Sequence, residues 1–409
     1  MLRRTKLGEL LDVTRGASLP GTYYTTSGSL IRLTLGNFDM AGGWKENTSK
    51  DNIYYSGKVR PEFILKKGDL ITPLTEQTPG LLGTVARIPE SSKYIQSQDV
   101  GLIKCKPGKL DPSYAYYLIS SVFVRNQLAA AAQQTKIRHT SPDKIKDCIV
   151  FVPDIDEQRK IGAFLDKYTE KIENNNKSIS ILESLAKRIY GYWFLQFDFP
   201  DENGKPYRSS GGKIVWNEEL KREIPEGWSA TPLIKFAKVT MGTSPIGESL
   251  NKEKGIVFYQ GKTDFGYRFP SVRLFTTQPV KYAMENDTLL SVRAPVGAIN
   301  RANQKCAIGR GLAAIHSDNY PSYVFYSLLS NEQIFDRYNQ KGTTFGALTK
   351  DDLFNFQILK PNNKVLVEFE KNAEYFDKEI ASLTKENQRL SSLRDYLLPL
   401  LLNGQITLS

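Results

Sequence analysis

Metal, redox and acid–base chemistry have little to work with in this chain. Its 409 residues include three cysteines (Cys105, Cys148, Cys306) and two histidines (His139, His316). The cysteines are widely spaced and form no Cys-x-x-Cys pair, which argues for a reducing cytoplasm and against a zinc or disulfide framework. The histidines fall in different halves, so a His-based triad is not expected. No stretch of about 18 uncharged apolar residues occurs, and a membrane span is therefore not expected. Met1-Leu2-Arg3-Arg4-Thr5-Lys6 leads into mixed sequence rather than an apolar signal core.

Nucleotide and nuclease motifs are missing as well. Gln260-Gly261-Lys262-Thr263 looks like the end of a phosphate loop, but the glycine required five places before Gly261 is Ile256. Pro200-Asp201 with Glu219-Leu220-Lys221 fits a loose nuclease pattern, yet it lies in linker sequence without a strand to hold the carboxylates. No Asn-Pro-Pro run of the amino-methyltransferase type occurs. These absences predict a chain that catalyses nothing and holds no metal or cofactor of its own.

What is present is positive charge in two blocks. The net charge is +11. Residues 1–153 carry 21 Lys+Arg against 13 Asp+Glu, and residues 199–361 carry 21 against 16. The segments 154–198 (7 against 8) and 362–409 (6 against 7) are nearly neutral. Two basic blocks suggest a polyanion, because neutralising phosphates with counterion release drives much of nucleic-acid affinity.

The blocks are copies of each other. Val13-Thr14-Arg15-Gly16-Ala17-Ser18 recurs as Val239-Thr240-Met241-Gly242-Thr243-Ser244, and Gly36-Asn37-Phe38-Asp39 is matched to Gly261-Lys262-Thr263-Asp264. Pro112-Ser113-Tyr114-Ala115-Tyr116-Tyr117 recurs as Pro321-Ser322-Tyr323-Val324-Phe325-Tyr326, and a constant offset then holds to the end of the chain. Each lobe contains short β-favouring runs broken by Gly, Pro and Asn, with helical stretches near 112–132 and 321–339. Residues 197–228 read mostly as turns and loop.

Two helical segments follow the lobes. Positions alternately four and three apart from Ile161 are Ile161, Leu165, Tyr168, Ile172, Asn175, Ile179, Leu182, Ala186, Ile189 and Trp193. This is a coiled-coil seam. The copy runs from Phe369 to Leu401, with Arg394 out of pattern and Leu393 beside it available to fill the gap. About 40 residues at 1.5 Å each make a rod of roughly 60 Å. The expected fold is α+β: two tandem-repeated lobes separated by two long helices forming an antiparallel coiled coil with pseudo-two-fold symmetry. The expected boundaries are 1–153 and 199–361 for the lobes (199–228 being a linker), with 154–198 and 362–409 for the helices. Under that symmetry Asn175 and Asn387 face each other near the middle and fix the register.

Further motifs point to a family. Pro153-Asp154-Ile155-Asp156-Glu157-Gln158-Arg159-Lys160-Ile161 resembles the signature that opens the central helix of type I restriction–modification specificity subunits. Leu393-Arg394-Asp395-Tyr396-Leu397-Leu398-Pro399 with Asn403-Gly404 resembles their C-terminal signature. Tyr259-Gln260-Gly261-Lys262-Thr263-Asp264, Ser291-Val292-Arg293-Ala294-Pro295-Val296-Gly297 and Ile308-Gly309-Arg310-Gly311-Leu312 are similar to motifs of one class of their target-recognition domains. The second helix departs from the pattern, opening with Pro361-Asn362-Asn363-Lys364-Val365-Leu366 and lacking the Glu-Gln pair.

The resemblance implies that each lobe reads one half of a split site on double-stranded DNA. It implies that the helices space the halves and help dock two methyltransferase subunits, through which restriction subunits join. S-adenosylmethionine, ATP and magnesium would then belong to those partners. A specificity chain of a fused methyltransferase–nuclease, and a coiled-coil adaptor that binds no DNA, remain alternatives. Arg reads guanine and Gln or Asn reads adenine in the major groove, while Lys and Thr hold phosphates. The candidates in lobe one are Arg15, Asn37, Lys58, Arg60, Lys136 and Arg138. Those in lobe two are Gln260, Lys262, Arg268, Arg293, Arg310, Lys341 and Thr343. Gly36, Gly261 and Gly342 would let the backbone approach DNA.

Overall fold

A computed structural model describes residues 2–40, 42–47, 51–131, 138–339 and 346–408. The chain is α+β and forms two compact units. One comprises residues 1–174 with 387–409, the other residues 175–386. Each unit therefore holds one lobe together with part of each long helix.

The lobes share one plan in their main sheets. In the first unit an antiparallel sheet has the order Leu11–Arg15, Val100–Cys105, Leu70–Pro73, Ala86–Arg87. In the second the order is Lys238–Met241, Leu312–His316, Thr288–Ser291, Ile299–Arg301. A second sheet in each lobe carries one parallel pairing, Ile31–Arg32 with Tyr94–Ile95 and Ile256–Tyr259 with Cys306–Ile308. Each lobe is closed by a ladder between its entering and leaving strands. Arg3 stands opposite Val152 in one, and Ser229 opposite Lys360 in the other.

The turn caps correct one repeat match. Val100 N–H donates to Ser97 O as Leu312 N–H does to Gly309 O, which sets Ile95 against Ala307 and makes Arg32 the counterpart of Phe258. The single turns that follow, Leu35–Asn37 and Lys262–Asp264, are capped by Thr34 and Gly261. Asn37 Oδ1 accepts from the Thr34 N–H at 2.9 Å, and Asp264 Oδ2 accepts from the Gly261 N–H at 3.3 Å. Asn37 therefore corresponds to Asp264, and Gly261 to Thr34 rather than to Gly36. Both acids or amides do the same job of closing a turn at its N-terminus.

Helix α1 (Pro112–Ser120) and helix α3 (Pro321–Ser330) occupy equivalent places; helices α2 (Ile155–Tyr190) and α4 (Asn363–Leu402) are the two long ones. The apolar seam positions of α2 are buried or half-buried. In the first unit Ile161 and Leu165 share a core with Leu397, Leu398, Leu401 and Leu402. In the second, Ile179 packs with Ile380, while Ala186 and Tyr190 pack with Phe369 and Ala373. As α2 advances, its partners on α4 recede, so the contacts are antiparallel. Leu393 does not fill the seam: it is 45% exposed, and Arg394 keeps its half-buried place beside Asp395 at 2.9 Å. Asn175 is buried and donates to Glu386 at 2.7 Å, a partner that the seam pattern does not predict.

The missing Glu-Gln pair has a local explanation. Gln158 on α2 is buried, accepts from the Asp111 N–H at 3.0 Å and donates to the Lys109 and Pro153 carbonyls. It ties down the loop that enters α1, and Asp111 then caps α1 by accepting from Tyr114 N–H at 3.0 Å. In the second lobe Tyr320 stands at the cap and offers no side-chain hydrogen bond. Glu370 on α4 caps α3 instead, accepting from the N–H groups of Ser322 and Tyr323 at 2.8 and 3.0 Å. Gly162, the residue equivalent to Glu370, leaves no room: a methyl there would stand 2.8 Å from Tyr114 N. Cap and glycine in one copy are exchanged for carboxylate and no cap in the other.

Residues 197–228 are more ordered than their turn-rich sequence suggests. They contain a two-stranded ladder, Ile214–Asn217 with Arg222–Pro225. Phe199 stacks between Tyr207 and Trp228, each at 4.7 Å. Asp201 closes a local turn by accepting from the N–H groups of Asn203 and Lys205, both at 2.8 Å. Among the described residues no helix is long and apolar enough to cross a membrane, and no cluster of three or more His, Cys, Asp or Glu could hold a metal.

Candidate nucleic-acid interface

The side chains best placed to meet DNA in the second lobe gather where four segments converge. The Gly242 N–H donates to Leu312 O at 2.9 Å, Thr243 N–H to Ile308 O at 3.0 Å and Gly309 N–H to Tyr259 O at 2.8 Å. Val292 N–H donates to Gly311 O at 2.9 Å. This convergence needs glycine. A methyl on Gly242 would stand 2.2 Å from Gly309 O, and one on Gly311 would stand 2.5 Å from Gln260 O. Either distance is well inside a van der Waals contact. Gln260, Lys262, Arg293 and Arg310 all project from these segments and are exposed. Arg310 reaches only the Ser244 hydroxyl, at 3.5 Å, and among the described residues no carboxylate pairs with Lys262, Arg293 or Arg310. Cations held on a glycine-packed edge without a carboxylate partner among the described residues can meet phosphate or base acceptors.

The first lobe builds the same edge with other side chains. A methyl on Gly16 would stand 2.3 Å from Ser97 O, matching Gly242, and Ala17 N–H donates to Gln96 O at 2.9 Å. Gln96 N–H in turn donates to Phe63 O at 2.9 Å, which brings in the turn Pro61–Phe63. Arg15, Lys58 and Arg60 are exposed around it. Arg60 pairs with Glu62 at 3.2 Å and lies over the Phe63 ring. Arg15 stands where the second lobe has Met241, and Gln98 where it has Arg310, since Val100 N–H donates to Ser97 O as Leu312 N–H does to Gly309 O. The frame repeats while the side chains it presents do not.

Several sequence candidates are placed elsewhere. Asn37 is 3% exposed and is used up in closing its turn, so it is withdrawn from the surface. Gly36 serves internal packing, since a methyl there would strike the Asn47 side chain at 2.8 Å. Arg138 lies 3.7 Å from Glu76, a buried carboxylate that also accepts from the N–H groups of Gly80, Leu81 and Leu82. Lys136, Lys341, Gly342 and Thr343 lie outside the described residues. Sequence reading did not single out Lys281, which is exposed and whose carbonyl accepts from Ile308 N–H at 3.0 Å beside the convergence. Nothing local marks it; only the ladder brings it there.

Arg268 is the largest correction. It is 4% exposed and bonds to Asp377, to the Tyr326 hydroxyl at 3.2 Å, and faces Glu183 at 3.6 Å. Arg301 shares the same Asp377, which also accepts from Ser322 Oγ at 2.7 Å and Tyr326 Oη at 3.0 Å. Burial alone would raise the Asp377 carboxyl, but Arg301 and Arg268 outweigh it and hold it below the usual carboxylate range. The first unit has a lighter version. Arg87, equivalent to Arg301 across the sheet, meets Asp166 of α2 at 2.7 Å, and Tyr117 Oη donates to the same oxygen at 2.8 Å. These carboxylates pin each lobe to the long helix that follows it.

Comparisons with known proteins agree with the repeat plan. Residues 5–184 match the family described as the type I restriction modification DNA specificity domain. A putative type I restriction enzyme specificity subunit from Methanocaldococcus jannaschii, MjaX, is 32% identical over 317 residues, covering 75% of this chain and 70% of that protein. The chain belongs to the specificity subunits of type I restriction enzymes. The HindI specificity subunit of Haemophilus influenzae is 21% identical, with 84% of this chain and 87% of that one covered. The crystal structure of an S subunit from M. genitalium shares the fold, with a TM-score of 0.61 at 17% identity over 98% of this chain and 96% of that one.

Proposed function

We propose that this specificity subunit binds double-stranded DNA, each lobe reading one half of a split, asymmetric site, and that it catalyses nothing itself. On this reading it acts in the cytoplasm and directs adenine methylation or restriction by partner subunits. Two methyltransferase subunits dock on it, and restriction subunits join through them. The observation that carries the reading is the pair of edges with one backbone frame and different exposed side chains. Two copies of a frame with the same side chains would read the same half-site twice; Arg15 with Gln98 in one and Met241 with Arg310 in the other present different donors. Arginine is the commonest guanine reader, so Arg310 and Arg293 are assigned to base contacts, and Lys262 to phosphate.

Methylome sequencing of cells with and without the gene tests the whole reading, since it should reveal one split motif that disappears with the gene. On a duplex carrying that motif, Arg310→Ala is expected to cost about 1–3 kcal/mol and to relax one position of the second half-site. Lys262→Ala should weaken all sequences alike and lower the salt slope by about one. Methylation or cleavage by the isolated chain would refute the non-catalytic assignment.

A further inference from the structure

The first unit contains an open apolar groove of about 490 Å3 between α1, the strand Ile149–Val152 and the end of α4. Val122, Phe123 and Phe151 on its wall are 71%, 51% and 42% exposed, and the two phenylalanine rings lie 6.3 Å apart. Such a concentration of exposed large side chains is unusual on a surface that stays wet.

The second unit shows what fills the same place. Arg4 pairs with Phe151 and Ala230 with Leu359, so Phe151 and Leu359 are equivalent. Leu359 is 4% exposed, within a cluster that includes Phe194, Phe199 and Trp228. Leu398 and Leu402 of the first unit correspond to Tyr190 and Phe194, and Phe194 lies 4.9 Å from Tyr323 and 5.9 Å from Trp228. In the second unit the aromatic side chains of 190–228 thus cover the face; in the first, Ile406 and Leu408 pack on the core but the groove remains open. The covering segment in the second unit opens as Phe197-Asp198-Phe199-Pro200-Asp201-Glu202, aromatic and acidic. The open groove has a cation to match. Arg125 lines it, bonds only to the carbonyls of Met40 and Gly80, and has no carboxylate partner among the described residues.

We infer that this groove receives an acidic, aromatic-bearing segment of a methyltransferase subunit, a contact that the second unit supplies from its own chain. The inference rests on the proposed assembly with methyltransferase subunits. A second copy of this chain is a poor occupant, because its own aromatic segment is already packed in its second unit. The docking of two methyltransferases is therefore unequal, with one of them using a contact that the other lacks.

The test compares the full-length wild-type chain with Phe123→Glu/Phe151→Glu and, separately, with Val122→Glu. Each is mixed with the methyltransferase encoded in the same system and followed by native mass spectrometry. All three positions are exposed, and thermal unfolding checks that the variants keep their stability. The variants are expected to bind one methyltransferase at least about tenfold more weakly while the other is unaffected. p-Benzoylphenylalanine at position 123 should crosslink to a methyltransferase peptide containing both aromatic and acidic residues. Unchanged assembly by the variants, or a crosslink to a second copy of this chain, overturns the inference while leaving the proposed assembly intact. A wild-type chain that takes up no methyltransferase at all overturns both.

Discussion

Asp377→Ala is expected to destabilise the second unit by about 3–5 kcal/mol, enough to consume much of the stability of an ordinary domain. The side chains of Arg268 and Arg301 are each 3% exposed, and Asp377 is the carboxylate common to both. Removing it leaves Arg268 with Glu183 at 3.6 Å and Arg301 with no ion pair among the described residues. A buried cation without a paired carboxylate is costly. Urea unfolding should show the loss at neutral pH, and Asp166→Ala should cost less because Arg87 is 29% exposed. The pH dependence follows from the same pair of arginines. Asp377 has a folded-state pKa below its unfolded value, so its contribution is complete above the unfolded value of about 4 and is lost as pH falls through the lower folded value. A wild-type and Asp377→Ala pair that unfolded at the same urea concentration would show that the cluster is structurally idle.

Exchanging the first lobe for that of another specificity subunit is expected to replace one half of the recognised sequence outright and leave the other half untouched. The ladders supply the reason. Arg3 and Val152 face each other where the chain enters and leaves the lobe, so a lobe cut there is joined to the rest through two adjacent strands. Its sheets and smaller core lie within the lobe, while its larger core also takes in Ile161 and Leu165 of α2 and Leu401 and Leu402 of α4, which a donor lobe must fit. The donor lobe must bring an acceptable partner for Asp166 and Gln158, which Arg87 and the 109–111 loop provide here. Methylome sequencing after the exchange reads the result directly. A change in both halves together would show that the lobes do not read independently.

The repeat, the two long helices and their apolar seam were legible because they are periodic, and a period survives in sequence whatever the side chains touch. The match of Gly36 to Gly261 went astray for the opposite reason. Both glycines adjoin a capped turn, but the caps are Thr34 and Gly261, and the equivalence shows only in the hydrogen bonds that close the turns. The linker was read as loose because its ladder and the Phe199 stack join residues that carry no common period. Among the cations, Arg310 and Arg293 stayed on the surface beside glycine motifs that could be read locally. Leu393 looked able to replace Arg394 in the seam, yet the helix turns it outward, since adjacent positions on a helix do not share a face.

By itself the sequence determined that this protein is a duplicated basic lobe on two seamed helices, and its motifs determined its family. Composition and periodicity are sums over many residues, and they tolerate the loss of any one. Only the tertiary structure decided which basic residues face outward. Arg268 and Arg310 are both arginines of the second lobe within two residues of a glycine, and their fates differ because Asp377, 109 residues beyond Arg268, and Glu183 on the other long helix close around one and not the other. A charge is buried when the fold brings it counter-charges from distant segments, and no local pattern records that meeting.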